Sequence, residues 1–125
     1  MEAVNLKASI EYDEGQLDKA KTTIKHLVNL YSKYNIKVDP TTYHNEAILM
    51  SNDNFTESIK RLTELIRNRP FPAEAYQNLL HLYCKYHLYN CAEELLNERP
   101  DYNFKYLKEE DKDYALAIIN ETNNP

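Results

Sequence analysis

Three segments of the chain repeat one another. Ala20, Ser58 and Ala92 each follow a large side chain by three positions (Leu17, Phe55, Tyr89) and precede an aliphatic one by four (Ile24, Leu62, Leu96). Asp18, Thr56 and Asn90 stand two positions before each small residue. The steps between the small residues are 38 and 34 positions. A period in that range marks stacked supersecondary units, none of which can bury its hydrophobic face alone. A small residue lets two helices approach, and the large ones fill the space beside it. Asp18, Thr56 and Asn90 are of N-cap type and are expected to open the second helix of each unit.

The helical reading has independent support. Gly15 is the single glycine among 125 residues, too few for the positive-φ turns of a β or α/β chain. Val4, Ala8, Leu17, Ala20, Ile24 and Leu27 recur at helical spacing, with a turn at "DEGQ", 13–16. After a loop near "SKYNIKV", Asp39 is placed to cap a helix whose first position is Pro40. "SNDN" at 51–54 and "NRPFP" at 68–72 are further breaks. Helices are expected near 73–86 and 90–98, with "RPDYNF" ending that pair. A last helical face carries Phe104, Leu107, Tyr114, Ala115 and Ile118, interrupted by "KEEDKD" as a kink or as a turn between two shorter helices.

Thirty-four residues is the tetratricopeptide period, and Tyr76, Leu79, Tyr83, Tyr89, Ala92 and Leu96 resemble that motif, with Leu80 where the family prefers a small residue. The second unit fits with a turn one residue shorter, and the first has a longer loop behind it. The expected fold is all-α: a TPR-type α-solenoid segment over 1–125, with repeats at about 2–34, 39–70 and 71–100 and a C-terminal helical segment at 104–120.

The stretches "VNLKASIEY", "DPTTYHNEAILM" and "PFPAEAYQNLLHLYCKY" resemble, in order, parts of one narrower family. This is the seventy-kilodalton TPR subunit of intraflagellar transport complex B, also called the tetratricopeptide-repeat-thirty family. The resemblance runs from about Val4 to Leu96 and weakens beyond Asn97; the run Arg69-Pro70-Phe71-Pro72-Ala73-Glu74 carries its most specific part. Members are several times longer, which implies an internal segment here. The first helix begins close to Met1 without a polar capping repeat, so both ends are expected to meet neighbouring repeats of the same parent chain.

Charge and composition narrow the classes of function. The formal charge is −5 with scattered basic residues, unlike the basic stripe of a nucleic-acid binder. Mean hydropathy is −0.73 and no apolar run has the length of a membrane span, so neither nucleic acid nor membrane insertion is expected. "MEAVNLKASIEY" has no apolar signal-peptide core. Two cysteines without secretory cues fit a reducing compartment.

His81, Cys84, His87 and Cys91 form H-x2-C-x2-H-x3-C. A single helix, turning ~100° per residue, would place all four on one side. The pattern instead spans the turn between two helices, and it lacks the tight cysteine or histidine pairs of a structural zinc site. Cys84 lies mid-helix, away from a helix N-terminus that would lower its pKa. No phosphate loop, HExxH or nucleophile elbow accompanies it. Neither metal nor cofactor nor catalysis is expected. Glu93-Glu94 and Glu109-Glu110 read as solvated faces, and Tyr76, Tyr83 and Tyr89 as packing; Tyr12, Tyr31 and Tyr34 are left open.

Tetratricopeptide solenoids bind through the surface lined by the first helix of each pair. By repeat position this surface holds Asn5, Ser9 and Tyr12, then His44, Ile48 and Ser51, then Gln77, His81, Cys84 and Lys85. The places that would form a carboxylate clamp for chaperone tails hold Asn5, Ser9, Asn45, Glu74 and Asn78, without a cation. A polar, tyrosine-containing groove instead suits an extended, proline-containing segment. The family resemblance implies a scaffold role in cilia or flagella, with further presence in the cytoplasm near the basal body. It also implies wrapping of a segment of the fifty-two-kilodalton subunit among other complex B subunits, and a link to axonemal tubulin polyglutamylation. The alternative is a generic TPR adaptor for an unrelated peptide.

Overall fold

The computed structural model describes residues 2–68 and 70–123, with the side chains of Phe104, Thr122 and Asn123 excepted. The expected contribution of the Phe104 side chain and the place of Arg69 lie outside the described residues. Among those residues there are eight helices and no strand. They are α1 (Glu2–Asp13), α2 (Leu17–Lys33), α3 (Pro40–Leu49), α4 (Phe55–Arg67), α5 (Glu74–Lys85), α6 (Tyr89–Glu98), α7 (Pro100–Tyr106) and α8 (Glu109–Asn123). They form two compact units, residues 1–72 and 73–125.

In each pair the small residue of the second helix is fully buried: Ala20, Ser58 and Ala92 all have no exposed surface. Ile24, Leu62 and Leu96 are buried beside them, whereas Phe55 remains 39% exposed. In the first unit Ala8, Ala20, Ile24 and Leu49 make one cluster, with Leu17 and Val28 against it. Glu11, buried on α1, accepts from the Thr23 hydroxyl on α2 at 2.6 Å. The Ser58 hydroxyl donates to the Ala47 carbonyl at 2.7 Å, so this small polar residue satisfies its own oxygen inside the α3–α4 contact.

The second helices start two residues earlier than expected. The flanking residues are Gln16, Asn54 and Leu88, whose carbonyls accept from Ala20, Ser58 and Ala92 at 3.0, 3.1 and 3.0 Å. Asp18, Thr56 and Asn90 therefore lie inside the first turn rather than at the cap. Only Asn54 of the three flanks caps with its side chain, accepting from the Glu57 amide. Asp18 still suits its place, because the positive end of the helix dipole favours an acid there.

Gly15 and His87, each five positions before the small residue, have φ of 77° and 60°. Gly15 N–H bonds to the Tyr12 carbonyl and His87 N–H to the Cys84 carbonyl, and the next amide reaches back to Glu11 or Tyr83 at 2.7 Å. The α3–α4 turn, expected to be shorter, runs over 50–54 and is longer than the turns at 14–16 and 86–88, because α3 stops early at Leu49. Asp53, five positions before Ser58, is not left-handed. A β-carbon on Gly15 would meet nothing within 4 Å. Gly15→Ala is therefore expected to cost about 1 kcal/mol through backbone strain alone, and His87→Gly to recover part of a similar strain. Urea denaturation of the two variants checks both signs.

The chain beyond α6 differs from expectation in part. "RPDYNF" does end the pair, since α6 stops at Glu98 with Arg99 as its cap, but it also opens a further helix: Pro100 takes the first position of α7, where its missing amide is not needed. The stretch divides into two shorter helices, as one reading of "KEEDKD" expects: the break falls at Leu107, whose backbone is extended, and Lys108, and the rest of that run lies at the start of α8. Acids at 109–111 are favoured in that first turn by the helix dipole. The second unit closes around Tyr76, fully buried, whose hydroxyl donates to the Leu95 carbonyl at 3.0 Å or to Asn103 Oδ1 at 2.6 Å. Asn103 in turn donates to the Leu96 carbonyl.

Candidate recognition surface

The loop ahead of α3 sets the geometry of the first unit. Asp39 caps α3, its carboxylate accepting from the Thr42 amide at 3.1 Å and the Thr42 hydroxyl at 2.7 Å. The same carboxylate accepts from the Tyr31 hydroxyl of α2 at 2.6 Å. Asn5 of α1 donates to Thr42 Oγ1 at 2.9 Å and accepts from Asn45 Nδ2 at 2.9 Å. Asn45 Oδ1 lies 3.0 Å from His44 Nδ1. Because that oxygen only accepts, a neutral His44 must carry its proton on Nδ1. One polar relay thus joins α1, α2 and α3.

Burial disfavours the charge on Asp39, but hydrogen bonds from Tyr31 and Thr42 outweigh it and hold the carboxyl below its ordinary range. The bond to Asp39, with burial behind it, pushes the Tyr31 phenol up. Both groups are held in the protonation states that the relay needs at neutral pH.

The ten residues expected on the recognition surface fall into distinct environments. In the first unit Asn5, His44 and Ser51 are buried, Ile48 is half-buried, and Ser9 and Tyr12 are exposed. The relay connects Asn5 with His44 through Asn45. In the second unit Gln77 is half-buried and donates to Asp111 of α8 at 2.8 Å. His81 and Lys85 are exposed and Cys84 is half-buried. Of the tyrosines left open, Tyr12 and Tyr34 are exposed, whereas Tyr31 is buried in the relay.

The H-x2-C-x2-H-x3-C residues divide between α5, its turn and α6. His87 Nδ1 lies 2.6 Å from the Tyr89 hydroxyl. Both cysteines are free thiols, and burial pushes the Cys84 thiol up, away from the reactive thiolate. Among the described residues, no group of three or more His, Cys, Asp or Glu side chains could hold a metal ion. Likewise, no helix there is long and apolar enough to cross a membrane.

A cleft of about 830 Å³ that sequence reading missed opens in the first unit between the α2–α3 loop and the end of α4. Lys37, Asp39, Tyr43, Glu64 and Arg67 give it both signs of charge and an aromatic wall. Burial, and then the Glu64 carboxylate, push the Tyr43 phenol up. A cleft of about 510 Å³ also includes Asp39, Pro40 and Pro70 in its lining. The 38-residue step leaves four residues more than the next repeat, but they lengthen α2 to 17 residues against 13 in α4. The loops at 34–39 and 68–73 are equal in length, so the longer loop expected behind the first unit is instead a longer helix.

The buried small residues, the helix pairs and the recurrent turn define a tetratricopeptide-type α-solenoid fold class. In sequence the chain is related to the intraflagellar transport protein 70 family. It is 35% identical over 119 residues to intraflagellar transport protein 70A of Xenopus tropicalis, 70A1 of Mus musculus and 70A of Homo sapiens. That alignment covers 95% of this chain but only 17–18% of those relatives. No family model matches.

Proposed function

We propose that this chain is a non-catalytic scaffold segment of intraflagellar transport complex B, acting in the cilium or flagellum and in the cytoplasm near the basal body. The carrying observation is the similarity to intraflagellar transport protein 70 along 119 residues, 95% of this chain. The segment binds an extended stretch of a partner subunit, chiefly the fifty-two-kilodalton one, and through the train supports ciliary assembly and tubulin polyglutamylation. Exposed Ser9, Tyr12, His81 and Lys85, with half-buried Ile48, Gln77 and Cys84, are its contact residues; buried Asn5, His44 and Ser51 shape the surface beneath. Mixed charge and an aromatic wall also suit the 830 Å³ cleft to an extended polar segment.

The test is capture from ciliated or flagellated cells with the full-length protein as bait, followed by mass spectrometry. Complex B subunits retained through a high-salt wash are the expected result. Recovery of an unrelated peptide-bearing partner without them would overturn this reading and favour a generic TPR adaptor.

A further inference from the structure

Two clefts of the first unit meet. Those of about 830 and 510 Å³ share Asp39, Pro40 and Pro70 in their linings, so together they form one groove across the start of α3. Lys37 and Arg67 belong to one end of it, Phe71 and Pro72 to the other.

The charges of this groove are unequally committed. The Asp39 carboxylate already accepts from the Tyr31 hydroxyl and from the amide and hydroxyl of Thr42, and Glu64 accepts from the Tyr43 hydroxyl at 3.4 Å. Lys37 and Arg67 are exposed and have no ion pair or hydrogen bond among the described residues. Lys21 and Arg61, by contrast, are paired with Asp53, Glu46 and Glu57. Both carboxylates of the groove thus have donors, and neither cation has an acceptor. The middle makes a different demand. Pro40, Pro70 and Pro72 are three of the chain's five prolines, and a proline has no backbone N–H. Among the described residues there is no strand edge either, so a partner cannot be held by strand pairing. The rings offer apolar contact instead.

We propose that this groove binds an extended acidic segment of a different polypeptide, setting two carboxylates on Lys37 and Arg67 and an apolar side chain against Pro40 and Pro70. The inference rests on the reading of the larger cleft as a peptide site and adds the chemistry of the peptide. Single charges spaced along a chain suit the place better than one phosphate, whose near-double charge would also meet Asp39 and Glu64. The chain's own acids at 109–111 are no candidate, because they lie in the first turn of α8.

A photo-crosslinking amino acid in place of exposed Pro70, in the full-length protein in ciliated or flagellated cells, tests this. The sequence of the cross-linked segment is the readout. The expected product is a stretch of another polypeptide with paired Asp or Glu residues beside an apolar one. Lys37→Glu with Arg67→Glu should cut its yield about fivefold or more, as the loss of two exposed ion pairs allows. Lys25→Glu, outside the groove, should leave the yield unchanged. Exchanging the partner's acids for lysines should restore the yield of the double variant, which a merely unfolded protein could not show. A segment without paired acids, a second copy of this chain, a phosphorylated segment lost on phosphatase treatment, no cross-link, or a failed rescue would each overturn the proposal. Membership of complex B is read separately: an acidic segment from outside the train counts against the ciliary reading and not against this one.

Discussion

Tyr76→Ala is expected to destabilise the second unit by about 3–5 kcal/mol, enough to unfold it under conditions where the first unit persists. Folded domains are stable by only about 5–15 kcal/mol, and small units sit at the low end. Tyr76 joins three elements at once. Its ring lies 5.7 Å from that of Tyr102 in an edge-on arrangement and 6.1 Å from that of Tyr106. Its hydroxyl has acceptors on α6 and α7. Tyr76→Phe keeps the ring and removes the donor, so about 1–2 kcal/mol is expected. Urea denaturation, with hydrogen exchange to localise the change, separates the two variants.

The same residue gives a pH test. Burial, then the Asp101 and Glu98 carboxylates, push its phenol up to about 12 from an ordinary 10.0. The neutral form is the one the fold favours. Its contribution is complete below about pH 10 and is lost as the pH rises toward about 12. The stability gap between the protein and Tyr76→Phe should accordingly narrow across that window.

What the sequence showed and what it hid have a common physical origin. Burial periodicity was legible: Ala20, Ser58 and Ala92, picked out as small contact residues, are the fully buried ones. The Asp39 cap and Pro40 start were legible too, because cap chemistry is local. Helix starts were misplaced by two residues because Asp18, Thr56 and Asn90 suit either a cap or a first turn. His87 was weighed as a ligand although it occupies the repeat position of Gly15, a comparison that would have exposed its turn role. The relay lay beyond sequence reading for a different reason. Asn5 and Asn45 look solvent-facing by type, and only the meeting of residues 40 positions apart reveals them as partners. The cleft likewise needs the end of α4 brought beside Lys37.

Asp39→Ala should cost the first unit about 3–4 kcal/mol, the second large effect. The cap alone is worth about 0.5–2 kcal/mol, and hydrogen bonds to a charged acceptor about 1.5–3 kcal/mol. Here Tyr31 and Thr42 both donate to the carboxylate. Asp39→Asn keeps the size and one capping oxygen but not the charge, so a loss nearer 1–2 kcal/mol is expected. Because the folded carboxyl titrates below its ordinary value, the stabilisation is present above about pH 4 and disappears as the pH falls through that lowered value. An NMR titration should show the depressed midpoint, and Asp39→Asn should flatten this part of the acid limb. The relay makes a sharper demand. Thr42 Oγ1 accepts from Asn5 while donating its own proton to Asp39, so removing the carboxylate frees that hydroxyl to rotate away from its role. Asp39→Ala and Asn5→Ala should then be non-additive in a double-mutant cycle, by about 0.5 kcal/mol or more, although the side chains are joined only through Thr42. Strict additivity would mean that the cap and the α1–α3 contact are independent features that happen to adjoin.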